Sequence, residues 1–534
     1  MLSLPLAPTD DQAKPAFRNV ATLTQWLAQL QLTNLHAAHQ TLRKQLDEFN
    51  RLAVSPTERL HTLELLRETV AIVQADYARK LVVKKLPLNT DELTILVSIL
   101  GLWQGMQTGY RRCLQAFIDG DKHLAQQGPL LCHRCLLYGS LQIFEYLRTG
   151  YEFDGILWQQ LHELFSFIEG NGLQHDKVAD EVHTRGYPLS CHTLYAKMLL
   201  ICHAHPSELS RAQLQLLDRW LTQWGEVIHI ERRYSLSKGD APPLALDLGG
   251  NQGLQALEQV TQSDRLRFLA MVPLSKLLRV KTILLQQGQA PQQLELGTEF
   301  FGVDCIAFLN LLHQFWCEGF DHRLVERRSV SQQAQVGFGM ELVYALISGR
   351  PYQRSAKDIG ADTITRKEQL ATLGRSLESA AQPASSYSET WAIENENILG
   401  ARLLRNGVEG ERVGLNQLVA VKPDNANAYI VGTVKWRSVT RSDQLRAGAH
   451  YFPGVAQPVT LKHMQSGDNK QSYGLLLPAL TSQKIPASLI VPRDVFQAER
   501  TFEMILPNND KQLIRMGFSV ITGADFERVS FAPA

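Results

Sequence analysis

Trp391-Ala-Ile-Glu-Asn395-Glu396-Asn397-Ile398-Leu399-Gly400-Ala-Arg402-Leu403 is the stretch on which the fold turns. Asn395, Asn397 and Gly400 mark a turn between two short apolar runs, the punctuation of a β-hairpin. Further on come Val413-Gly414-Leu-Asn-Gln-Leu418-Val419-Ala420-Val421 and Val431-Gly432-Thr-Val434-Lys435-Trp436. Together with Ala334 to Phe338, Gly448 to Phe452 and Pro458 to Leu461, these runs are bounded by Gly, Pro, Asn and Asp. They predict a small antiparallel β-barrel. Tyr473 to Leu477, Ser488 to Val491, Thr501 to Leu506 and Arg515 to Ile521 form a further strand-like set, a β-rich extension or a second small module.

Upstream the grammar is helical. Ser55 caps, Pro56 fits the first helical position, and Glu58 is expected to close a capping box. Behind them Leu63, Leu66, Val70, Val73 and Tyr77 recur at three- and four-residue steps, one apolar face. Asn89 to Glu92 opens another helix, Leu93 to Phe117, and helical runs follow near 130–148, 154–168, 190–204 and 208–226. No fixed repeat period relates them. The expected architecture is multidomain α plus β: an irregular all-helical domain over 1–320, a barrel over 321–465 with a polar insertion at about 353–390, and a β-rich segment over 466–534.

The chain has 534 residues with 54 Lys+Arg against 53 Asp+Glu and is 44% hydrophobic, an ordinary soluble balance. It has no charge excess for duplex nucleic acid or an anionic membrane, although a local arginine cluster could recognise a phosphate. No run approaches the ~18 apolar residues of a spanning helix, and Met1 to Gln12 lacks the pattern of a signal peptide. Seven cysteines suit free thiols in a reducing compartment. A cytoplasmic protein without structural disulfides is expected.

Enzyme signatures fail one by one. His162-Glu163-Leu164-Phe165-Ser166 starts like a zinc-protease helix but carries Ser where the second His ligand belongs. Gly249-Gly250-Asn251-Gln252-Gly253 does not satisfy a dinucleotide-binding fingerprint. Nucleophile-elbow and P-loop motifs are absent. Cys132-His133-Arg134-Cys135, Cys191-His192 and Cys202-His203-Ala204-His205 have metal-ligand chemistry, yet each sits in an apolar helical run where Cys is a small buried hydrophobe. Asp176, Asp180, Glu181 and His183 cluster as a solvated charged face. No catalytic residue, metal or cofactor is assigned.

The 391–436 stretch resembles the PilZ domain, a small β-barrel receptor for the bacterial second messenger cyclic di-GMP. Asn395, Asn397 and Gly400 take the positions of that family's D/N-x-S-x-x-G turn, with Asn397 where Ser is usual. Gly432, Val434 and Trp436 match its Gly-x-Val-x-Trp strand. The family's R-x-x-x-R segment has two registers here: Arg323 to Arg327 fits literally, and the one that includes Arg327 and Arg328 ends on Gln332 in place of Arg. The resemblance covers about 321–465. It implies that Arg323, Arg327 and Arg328 hold phosphates and guanine, and that Asn395, Asn397 and Gly400 hold the base.

The chemistry is sound by itself. Guanidinium forms bidentate bonds to phosphate or to guanine N7 and O6 and stacks on a base face, Asn adds short amide donors and acceptors, and Gly removes a side chain where backbone must approach. The resemblance therefore implies a cyclic di-GMP-binding effector whose helical domain engages a protein partner. The alternative is a degenerate barrel that has lost the ligand site and acts as an interaction module; Gln332 and Asn397 are the features that favour it.

Overall fold

The computed structural model describes residues 2, 4, 6–10, 12–82, 85–297, 303–318, 328–350, 388–464 and 471–534. The chain divides into two compact units, Met1–Val83 with Leu88–Arg323, and Lys84–Pro87 with Leu324–Ala534. The inserted polar segment expected at about 353–390 lies mostly outside the described residues.

The first unit is built from α1 (Val20–Gln29), α2 (Leu35–Arg51), α3 (Pro56–Arg79), α4 (Thr90–Ile118), α5 (Gly128–Thr149), α6 (Gly155–Gly170), α7 (Cys191–His203), α8 (Arg211–Gln223), α9 (Val272–Gln286) and α10 (Cys305–Cys317). The expected apolar face of α3 is its core face: Leu63, Leu66, Val70, Val73 and Tyr77 are all buried. Asn89 and Glu92 form a reciprocal capping box at α4. At α3 only half of the expected box is made. Ser55 Oγ accepts from Glu58 N at 3.3 Å, while the Glu58 carboxylate accepts from Val20 N at 3.0 Å and ties α1 to α3.

The unit is not purely helical. Leu266–Ala270 pairs with both His229–Glu231 and Leu244–Asp247, and Lys177–Val178 pairs with Leu189–Ser190. Runs of two to five residues are too short to be told apart by periodicity, so a helical neighbourhood hid these strands. The solvated face expected at 176–183 holds for Asp176 and Glu181, which are exposed, but not for Asp180. Asp180 is fully buried and meets Arg67 at 2.6 Å and Arg134 at 3.1 Å, with Glu64 completing the cluster at 3.0 Å from Arg134. Mutual pairing keeps these charges ionised, and both carboxyls lie below their ordinary range because the guanidiniums outweigh burial.

The second unit holds two closed six-stranded antiparallel barrels. The first comprises β1 (Arg328–Phe338), β2 (Glu389–Asn397), β3 (Gly400–Arg405), β4 (Leu418–Pro423), β5 (Ile430–Val439) and β6 (Leu445–Tyr451). Helix α11 (Met340–Ser348), which the periodicity did not signal, connects β1 towards β2. The second comprises β7 (Gln457–His463), β8 (Gln471–Leu477), β9 (Ser488–Pro492), β10 (Thr501–Ile505), β11 (Lys511–Thr522) and β12 (Phe526–Pro533). The run at Pro458 to Leu461 thus opens the second barrel, pairing with β8 and β10.

Both barrels have the same cyclic strand order. Around the first it is β1-β2-β3-β6-β5-β4, and around the second β7-β8-β9-β12-β11-β10. Alternation separates two apolar layers. The second barrel's interior gathers Leu461, Leu489, Val491, Phe502, Met504 and Val529. A different cluster joins the barrels: Met340 and Val343 of α11 with Leu418, Ala420 and Val431 meet Leu475, Leu477, Ile490 and Phe526. The outer face of β8 and β9 is therefore covered.

Candidate ligand-binding face

The corresponding outer face of the first barrel, across β2, β3, β6 and β5, carries polar and aromatic groups instead. Its centre is the β2–β3 hairpin. Asn397 pairs with Gly400 around the two-residue tip Ile398-Leu399, and Asn397 Oδ1 accepts from Leu399 N at 3.0 Å. Asn397 is therefore a turn former as well as a motif position. Gly400 is required by close approach, because a Cβ there would lie 2.1 Å from Ala449 O on β6.

One bulge organises the rest. Ile393 faces Leu403, but Asn395 faces Arg402, so β2 carries one extra residue, Glu394. The Glu394 carboxylate lies 3.8 Å from Arg402 Nε and 3.7 Å from Arg446 Nε, bridging β3 and β6. Register then continues a single row over five strands: Ser329 faces Asn395, Asn395 faces Arg402, Arg402 faces Gly448, and Gly448 faces Trp436. The Arg402 guanidinium stands 5.6 Å from the centre of the Trp436 ring, in cation–π range.

The residues singled out in the sequence fall into two groups. Asn395, Asn397 and Gly400 are brought together by the hairpin. Arg328 is exposed at the start of β1 and lies opposite Glu396, beside the Ser329–Asn395 pair. Arg323 and Arg327 lie outside the described residues. Gln332, the residue that ends the second arginine register, donates from Nε2 to Glu396 Oε1 at 3.0 Å.

Sequence reasoning did not select Arg402, Arg446 or Glu394, and it used Trp436 only as a motif match. Arg402 had a signal, since it lies two residues from Gly400 and so shares its side of the strand. Arg446 and Glu394 had none, because their meeting depends on the β3–β6 pairing and on the bulge.

Cys132, Cys135 and Cys191 are buried free thiols, pushed above the ordinary thiol range by burial. His192 Nε2 accepts from Ile230 N at 2.8 Å, and His162 lies 2.5 Å from Tyr195 Oη and 2.8 Å from Gln252 O. Among the described residues no three His, Cys, Asp or Glu side chains are grouped to hold a metal ion, and no helix is long and apolar enough to cross a membrane.

Comparison with known proteins bears on both ends of the chain. Residues 21–234 match the family described as the cyclic-di-GMP receptor FimW, N-terminal domain, and residues 459–534 match the FimW C-terminal beta-barrel domain. The chain is 21% identical to the cyclic-di-GMP receptor FimW of Pseudomonas aeruginosa strain PAO1, over 98% of this chain and 93% of that protein. No solved structure matches. The first barrel lies between the two matched segments.

Proposed function

We propose that this chain, which carries the N-terminal and C-terminal barrel domains of the FimW family, is a receptor for cyclic di-GMP that binds the nucleotide on the outer face of its first barrel. The observation that carries this reading is the row Asn395, Arg402, Gly448 and Trp436 beside the Gly400 hairpin. An amide, a guanidinium and an indole in one row match what a guanine nucleotide offers: a Hoogsteen edge, a phosphate and a flat ring. The resemblance of 321–465 to a PilZ barrel and the full-length similarity to a cyclic-di-GMP receptor support the same ligand.

In this reading Arg323, Arg327 and Arg328 hold the phosphates and guanine, and Asn395, Asn397 and Gly400 form the base-binding edge. The register Arg323 to Arg327 is preferred, because Gln332 is already engaged with Glu396. The protein is an effector with no catalytic residue. Its helical unit relays the bound state to a protein partner, in the cytoplasm where the messenger is found, towards surface behaviour such as motility or biofilm formation.

A second reading, a barrel that serves only as an interaction module, draws on the turn-forming role of Asn397 and the internal bond of Gln332. Calorimetric titration of the full chain with cyclic di-GMP, with GTP and cyclic di-AMP as controls at fixed salt, separates the two. Selective saturable binding in the micromolar range or tighter is expected, and Arg327→Ala is expected to weaken it by about 1.5–3 kcal/mol. The absence of heat and of any thermal shift would leave the interaction module as the function.

A further inference from the structure

We infer that Glu394 is a resident anion on the ligand-binding face, occupying Arg402 and Arg446 in place of a phosphate and thereby setting the affinity for the nucleotide; this rests on the reading of that face given above. The geometry is that of an exchangeable counter-ion. Both guanidinium Nε atoms stand 3.7–3.8 Å from the carboxylate oxygens, beyond hydrogen-bond reach, so the Glu394 carboxylate is held to these two arginines by charge rather than by a hydrogen bond. The side chains retain 27% (Glu394), 38% (Arg402) and 33% (Arg446) of their exposure, and ion pairs at such a surface are weak. A phosphate meets a guanidinium through short charge-assisted bonds, often two at once, which a carboxylate at these distances does not make.

The bulge gives Glu394 this position. It inserts Glu394 immediately before Asn395 while Arg402 remains the cross-strand partner, so the carboxylate sits within the same row as the proposed base-binding edge. Arg446 lies two residues before Gly448 on β6 and therefore on the same side of the sheet. A phosphate entering between Arg402 and Arg446 must displace the carboxylate, which then remains nearby as a like charge. Glu394 thus raises the threshold concentration at which the receptor fills and excludes simple anions that cannot also use the Trp436 side of the row.

Titration of the full-length protein and of Glu394→Gln with cyclic di-GMP, and separately with inorganic pyrophosphate, tests this. Glu394→Gln is expected to bind cyclic di-GMP about fivefold or more tightly, to show a steeper loss of affinity with salt, and to gain weak pyrophosphate binding. Arg446→Gln is expected to weaken cyclic di-GMP binding and, combined with Glu394→Gln, to remove most of the gain; it also serves if Glu394→Gln is poorly folded. Wild-type binding of cyclic di-GMP with equal or weaker binding by Glu394→Gln would overturn the role of Glu394 and leave the receptor reading intact. Pyrophosphate binding gained by the variant without cyclic di-GMP binding by either protein would do the reverse. No binding of either probe by either protein would overturn both.

Discussion

Trp436 lies flat against Gly448 across the β5–β6 pair, so close that a Cβ on residue 448 would fall 2.0 Å from Trp436 Nε1 and 2.4 Å from Cε2. The glycine is the seat of the indole, and the indole in turn stands beside Arg402. Gly448→Ala is expected to push the ring off the sheet, at a cost of about 1–3 kcal/mol in unfolding free energy. In the proposed receptor it also weakens cyclic di-GMP binding by about tenfold, as removal of one stacking or cation–π contact would. Denaturant unfolding and calorimetry on the one variant check both, and parental values for the two would refute the seating role.

The helical unit should be acid-labile from the mildly acidic range. Burial pushes His133 down to about 3 and His162, His183, His192 and His203 down to about 4. Their unfolded value is near 6.5, so between about pH 6.5 and pH 4 the unfolded chain binds protons that the folded chain does not. Stability is fully present above 6.5 and is lost as pH falls towards 4, each histidine contributing a slope of up to about 1.4 kcal/mol per pH unit. The depressed carboxyls of Glu64 and Asp180 act in the same direction at still lower pH. Urea unfolding at pH 7, 6 and 5 should show a steep decline; a flat profile would mean these imidazoles are not buried neutral.

One carboxylate of the second barrel organises part of the first. Asp525, in the turn between β11 and β12, accepts from Met340 N at 2.7 Å through Oδ2 and from Leu418 N at 2.9 Å through Oδ1. It caps α11, whose own N-cap residue Gly339 has no side chain, and fixes the start of β4. Burial raises its carboxyl above the ordinary range despite these bonds. Asp525→Ala strands two N–H groups and should cost about 2–5 kcal/mol, with Asp525→Asn milder because one acceptor remains. A melting temperature for Asp525→Ala equal to the parent's would contradict this role.

Much of the architecture was legible because it rests on local pattern. Ser55-Pro56 and Asn89 to Glu92 fixed helix starts through chemistry confined to four residues, and the three- and four-residue steps from Leu63 to Tyr77 gave the buried face of α3. The short runs around 391–436 and 473–521 declared strands by their turn residues. What failed was non-local. Glu58 found Val20 rather than Ser55, a contact between helices 38 residues apart. Asp180 sits in a charged stretch that looks solvated, and only the arrival of Arg67 and Arg134 from other helices makes its burial tolerable. At the proposed ligand-binding face the hairpin residues were visible as a motif, whereas Glu394 and Arg446 became neighbours only through the bulge and the β3–β6 register.

The sequence by itself determined the helical first part, the β-rich remainder and the Asn395 to Gly400 turn, because capping, apolar periodicity and turn chemistry act within a few residues of the chain. Only the tertiary structure decided that there are two barrels of one strand order and which outer face is covered. Strand alternation supplies two faces to every barrel, but which one is buried depends on what packs against it. Leu475, Leu477 and Ile490 meet Leu418, Ala420 and Val431 and close that face on the second barrel, while on the first Asn395, Arg402 and Trp436 form a row that is only partly buried.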